Sequence, residues 1–174
     1  KVAISGYSQG GGNAGILSQD HEMARAIFFS KGIGSTYYST GESCQTLSDC
    51  SPEAEACEQN QCYRIEPSPY YTENRATPGE KSFGFIHESE FATTYSLDAW
   101  AEWGMNFCGG ATSIESHPSD FLCSHILSTK ATPSDDPTNY HGSMGGDGAM
   151  PKTANDFPLN HKAILYMMSK ELTQ

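Results

Sequence analysis

Residues 1–19 read KVAISGYSQGGGNAGILSQ, with Gly6-Tyr7-Ser8-Gln9-Gly10 at their centre. Val2–Ser5 is small and apolar and stops at a glycine, which predicts a short strand. From Gly11 onward, Asn13, Ala14, Ile16 and Leu17 predict a helix despite the local excess of glycine. A serine at the apex of a sharp strand-to-helix turn is held with its hydroxyl free, in a backbone conformation that stores strain. Glycine on both sides is expected to relieve a close approach of strand and helix, where a Cβ at either position would clash.

GYSQGG resembles the nucleophile elbow of the α/β-hydrolase superfamily and is similar to that of cutinases and related secreted esterases and lipases. The resemblance implies that Ser8 is a nucleophile and that the amide of Gln9 is one donor of an oxyanion hole. It also implies a fold class: α/β, a mostly parallel sheet flanked by helices. In that superfamily several strands and helices precede the elbow, and a second oxyanion donor comes from an early loop. The resemblance therefore implies that residues 1–174 are the C-terminal portion of one α/β-hydrolase domain. The N-terminal half would then lie in the same or a companion chain.

The 174 residues carry a net charge of −11 with 18% charged residues, which argues against nucleic acid and anionic membrane surfaces as partners. No apolar run approaches the roughly 20 residues of a membrane-spanning helix. Six cysteines, an even number, point to an oxidising compartment, hence a secreted, extracellular or periplasmic protein. Four of them, Cys44, Cys50, Cys57 and Cys62, lie in CQTLSDCSPEAEACEQNQC, a polar stretch with almost no aliphatic residues to build a core. Two disulfides, worth about 2–4 kcal/mol each, would compensate. Zinc is the rival, but the spacings lack the paired C-x2-C knuckle. The stretch resembles the short Cys-rich modules of secreted bacterial proteins, which bears on location and not on chemistry. Residues 40–65 are thus read as a disulfide-rich insertion within the domain, and Cys108 with Cys123 as a third bridge.

Along the chain, Arg25–Ser30 predicts a second strand with a continuously apolar centre, suited to a buried parallel sheet. Residues 35–80 break the pattern around the cysteines and read as an insertion or cap. There Tyr37, Tyr38, Tyr70 and Tyr71 would either line a pocket or face solvent. Phe83–Ile86 predicts a third strand. TTYSLDAWAEWGM predicts a helix capped by Thr94 or Ser96, with Leu97, Trp100 and Met105 facing the core and Trp100 and Trp103 sharing a face. Ser124–Thr129 is the expected fourth strand, followed by a long loop and a closing helix over Leu159–Leu172, started by Asp156 and Pro158.

A nucleophilic serine needs a base in hydrogen-bond reach and an acid to orient that base. The superfamily order is serine, acid, histidine. HESEF ends the third strand, so Glu88 and Glu90 are the positional candidates, with Glu90 preferred because it stands one tight turn before the helix. Asp120 competes, since SDFLCSH resembles the cutinase stretch in which a disulfide brackets the acid. Among six histidines, His141 in NYHGSMGG falls after the last expected strand on a glycine-flanked loop, where scaffolds place catalytic groups. His125 and His161 are the alternatives. The expected chemistry is cleavage of a small-molecule or polymeric ester through an acyl-enzyme, with no cofactor and no metal. Two other readings stand beside it. One is a non-catalytic extracellular binding protein that keeps a hydrolase-like fold. The other is a structural calcium site at Asp135, Asp136 and Asp147, which lacks the EF-hand ladder.

Overall fold

The computed structural model describes residues 2–30, 35–54, 56–58, 60–67, 75–90, 93–117, 121, 123–145 and 149–169. Strand β1 (Ala3–Tyr7) runs into Ser8, and helix α1 (Gln9–Asp20) leads back to β2 (Arg25–Phe29). Strands β3 (Ser35–Ser43), β4 (Ala56–Glu58) and β5 (Gln61–Pro67) follow in the cysteine-rich region. The chain then forms β6 (Ser82–His87), α2 (Thr93–Trp100), β7 (Ala111–Ser113), β8 (Ile126–Thr129), the single turn α3 (Tyr140–Ser143) and α4 (His161–Ser169). Two compact units result, residues 1–33 with 72–174, and residues 34–71.

The larger unit is built on a five-stranded sheet in the order β1-β2-β6-β8-β7, every pairing parallel. Parallel strands need apolar residues on both faces, because helices cover each side. The alternation along the strands supplies this. Ile27, Phe83, Phe85 and Leu127 pack with Ala163 and Met167 of α4 in one buried cluster. Phe28 points the other way and meets Trp103 edge to face at 5.6 Å. Trp100, Trp103 and Met105 are all buried, so both tryptophans serve the core. The sheet is therefore α/β in character, with helices on two faces. Among the described residues no helix is long and apolar enough to cross a membrane.

In the smaller unit β5 lies between β3 and β4, both antiparallel to it. Cys44 is bonded to Cys57 and Cys50 to Cys62, and Cys44 and Cys62 are buried. Sulfur cross-links stand where an aliphatic core would otherwise be needed. The sulfurs of Cys44, Cys50 and Cys62 lie within 4.8 Å of one another because the two disulfides are adjacent. Cys108–Cys123 is the third bridge, in the larger unit.

Several elements differ from the expectations. β1 continues through Gly6 to Tyr7, and α1 begins at Gln9 rather than Gly11, which leaves Ser8 alone as the turn. The antiparallel sheet within residues 34–71 and the three-residue β7 were not anticipated, the latter because three residues next to Gly109 and Gly110 carry no periodicity. Helix α2 opens at Thr93, whose hydroxyl donates to the carbonyls of His87 and Glu90; neither Thr94 nor Ser96 caps it. The last helix starts at His161, after a turn in which Asp156 takes a positive φ of 63°. Tyr70, Tyr71, Asp120 and Asp147, and the side chain of Tyr37, lie outside the described residues.

Candidate active site

Ser8 has φ 54° and ψ −123°, a region that side chains other than glycine seldom enter. The surrounding backbone holds it there. Its N–H donates to the Phe29 carbonyl at 3.0 Å, extending the β1–β2 ladder by one residue, and its carbonyl accepts the Gly12 N–H at 3.1 Å, opening α1. The two flanking glycines are not equivalent. A Cβ on Gly6 would lie 2.1 Å from the Gly10 carbonyl oxygen, whereas one on Gly10 would meet nothing within 4 Å. The expected clash is real at Gly6 and absent at Gly10, because Gly6 faces the backbone of the first turn of α1 whereas Gly10 lies on the exposed side of that helix.

His141 lies in the turn α3. The Asn139 side chain accepts the Gly142 N–H at 3.0 Å and caps that turn. Asp135 accepts from the Asn139 amide and from the Asp136 N–H, while Asp136 accepts from the Thr138 N–H and hydroxyl. These hydrogen bonds hold both carboxyls below their ordinary range and engage them in shaping the loop. On the sheet side, the Tyr7 hydroxyl donates to the His141 carbonyl at 3.0 Å. Gly145 leaves room for that contact, since a Cβ there would lie 2.6 Å from the Tyr7 ring. Burial raises the pKa of Tyr7, the negative charge of Glu90 adds to the effect, and the phenol stays a donor.

Ser8, His141 and Glu90 meet in one hydrogen-bonded chain. His141 Nε2 is 2.8 Å from Ser8 Oγ, and its Nδ1 is 2.5 Å from Glu90 Oε1. The imidazole is partly open, with 36% of its side chain exposed, whereas the Glu90 side chain is 1% exposed. Glu90 Oε2 has no hydrogen-bond partner among the described residues, so the carboxylate's interaction is concentrated on the imidazole. Glu90 is presented by the turn after β6, where its N–H donates to the His87 carbonyl and its own carbonyl accepts from Thr93. The Gln9 N–H stands at the start of α1, one of the N–H groups a helix leaves without an intrahelical acceptor. There the helix dipole favours negative charge.

The other candidates lie elsewhere. Glu88 accepts from Ser128 Oγ at 2.9 Å and pairs with Lys130 Nζ at 3.3 Å, so its two carboxylate oxygens are engaged by β8 and the residue after it. His125 is buried just before β8, with Nδ1 2.9 Å from the Ser82 carbonyl and its ring stacked on Phe83 at 4.2 Å. Strands of a parallel sheet all start at one edge, so His125 sits at the edge opposite Ser8 and Glu90. His161 stacks on Phe157 at 5.1 Å and lines a separate cleft of about 640 Å³ with Ile114, Phe121 and Leu159. Sequence reasoning missed Tyr7, Asn139 and Gly145. Tyr7 and Gly145 take their roles from tertiary contacts that no local signal marks, whereas Asn139 accepts an N–H only three residues on, and an asparagine opening NYHGSMGG is a cap signal that could have found it. No protein family, curated protein or solved structure matches this chain.

Proposed function

We propose that this protein is a serine hydrolase of the α/β-hydrolase type that cleaves carboxylic esters through an acyl-enzyme. The observation that carries the reading is the Ser8–His141–Glu90 chain at a positive-φ strand-to-helix turn. His141 Nε2 takes the Ser8 proton as Oγ bonds to the ester carbonyl carbon, and Glu90 stabilises the resulting imidazolium. The Gln9 N–H donates to the oxyanion, a contribution worth about 3–4 kcal/mol per donor in such sites. His141 then returns the proton to the departing alcohol as the C–O bond breaks. Water, deprotonated by the same imidazole, releases the acid and restores Ser8 Oγ–H.

A second oxyanion donor belongs to this chemistry, and we assign it to a further segment of the hydrolase domain, in the same or a companion chain. Such a segment has a place to pair. Among the described residues β1 ends the sheet, and Val2 beside it is 66% exposed. Three disulfides support a secreted or periplasmic setting, because such bonds persist under oxidising conditions.

The test is a fluorophosphonate applied to the protein as naturally isolated, followed by peptide mass analysis. One adduct on the Ser8 peptide, absent in Ser8→Ala, is the expected result. Folded protein without an adduct would refute the hydrolase reading and favour a binding protein on a hydrolase-like scaffold.

A further inference from the structure

His87 has no part in the proposed chemistry, yet it is a buried, titratable side chain at the end of β6, three residues before Glu90. Its two ring nitrogens face groups of opposite character. Nδ1 accepts the Ser89 N–H at 3.0 Å, inside the turn that presents Glu90. Nε2 faces the Ala131 carbonyl at 3.0 Å, at the start of the segment that leads to His141. The ring also stacks on Tyr140, the residue before His141, with centroids 4.6 Å apart. Its backbone carbonyl accepts both the Glu90 N–H and the Thr93 hydroxyl.

We infer that His87 is a positioning residue that ties the turn bearing Glu90 to the segment bearing His141 and so sets the distance between acid and base. The inference rests on the serine-hydrolase reading. Carboxylate and imidazole lie 51 residues apart and are carried by different elements, so their 2.5 Å contact depends on what joins those elements. His87 touches both within one rigid ring. Only the tautomer with its proton on Nε2 satisfies both contacts, since a carbonyl needs a donor and an N–H needs an acceptor. A proton on Nδ1 would face the Ser89 N–H and open the turn that holds Glu90. A displacement near 1 Å at a reacting group costs on the order of a hundredfold in rate, so a modest loosening would be visible in turnover.

Nitrogen-15 NMR of the histidines in the wild-type protein is the first measurement. The expected His87 signature is the Nε2–H tautomer; an Nδ1–H tautomer overturns the inference without any variant. The second measurement uses His87→Asn, which keeps an acceptor near Nδ1, and His87→Gln, which keeps a donor near Nε2. Each severs one tie. We expect each to slow phosphonylation of Ser8 by at least about tenfold, to lower kcat for an activated ester with KM little changed, and to shift the His141 Nδ1–H resonance. Far-UV circular dichroism should match the wild type. Wild-type protein that labels at Ser8, with both variants labelling at the same rate, overturns the role of His87. Wild-type protein that does not label at all refutes instead the hydrolase reading on which it rests.

Discussion

Gly6 and Gly10 look interchangeable in G-x-S-x-G, yet the structure predicts opposite outcomes when each is replaced by alanine. A Cβ on Gly6 would lie 2.1 Å from the Gly10 carbonyl oxygen, 2.3 Å from its carbon and 2.7 Å from the Gly11 nitrogen, against an ordinary contact of 3.4 Å. Those atoms are backbone at the first turn of α1, so no rotamer change relieves the overlap. The helix must move by more than about 1 Å, and overpacking of this kind costs about 1–3 kcal/mol. The same movement carries Ser8 and Gln9 with it. The 2.8 Å contact from Ser8 Oγ to His141 Nε2 would then stretch toward about 4 Å, beyond hydrogen-bond range. Ser8 should therefore lose roughly a hundredfold in reactivity. Gly10→Ala meets no atom, exchanges a poor helix former for the best one, and should be neutral or stabilising by up to about 1 kcal/mol. Urea unfolding gives the stabilities, and the rate of phosphonylation at Ser8 gives the reactivity. A Gly6→Ala variant as stable and as reactive as wild type would refute the steric argument. So would a Gly10→Ala variant damaged to the same degree.

Glu90→Gln keeps the shape of the acid but removes its charge and its control of the imidazole tautomer. Turnover of an activated ester should fall by roughly 10³–10⁴ with the unfolding midpoint little changed, as expected when the acid of such a triad loses its charge. Tyr166, whose hydroxyl donates to the Ser124 carbonyl, has its pKa pushed up by burial to about 12. The folded state thus holds this proton more tightly than the unfolded chain. The resulting stability is fully present below the ordinary tyrosine pKa of about 10 and is lost as pH rises toward 12. Urea unfolding at pH 9 and pH 11.5 should show the decline, and Tyr166→Phe should flatten it. Replacing Cys50 and Cys62 by serine removes a cross-link that spans 12 residues, which should destabilise residues 34–71 by about 3 kcal/mol. Limited proteolysis should then cut within that unit while the parallel sheet stays protected; equal protection of both units would contradict a disulfide-held core.

Much of the parallel sheet was legible because its signals are local. Val2–Ser5, Arg25–Ser30 and Phe83–Ile86 are short apolar runs bounded by breakers, and each overlaps an observed strand by most of its length. β7 escaped because its three residues draw their strand character from pairing with β8. The antiparallel sheet around the cysteines escaped because its sequence is polar and its stability comes from cross-links.

At the site, residue types and chain order narrowed the field without selecting its members. Glu88 and Glu90 are two residues apart in one short turn, and nothing in HESEF says which carboxylate faces which neighbour. Ser128 and Lys130 draw Glu88 to one side, while Glu90 is buried against His141. His125 and His141 both flank the expected last strand, but one stands at the start of a parallel strand and the other on a loop that returns to the opposite edge. The strand, the serine turn and the helix after it follow from propensity and spacing within about 20 residues, whereas the pool of acids and bases came from residue type and chain order between Glu88 and His161. Contacts in three dimensions select Gly6 over Gly10 as the sterically required glycine, and bring Glu90 to His141 and His141 to Ser8. Hydrogen bonds and close contacts act over a few ångströms in space, and residues 8, 90 and 141 are brought within that reach by folding alone.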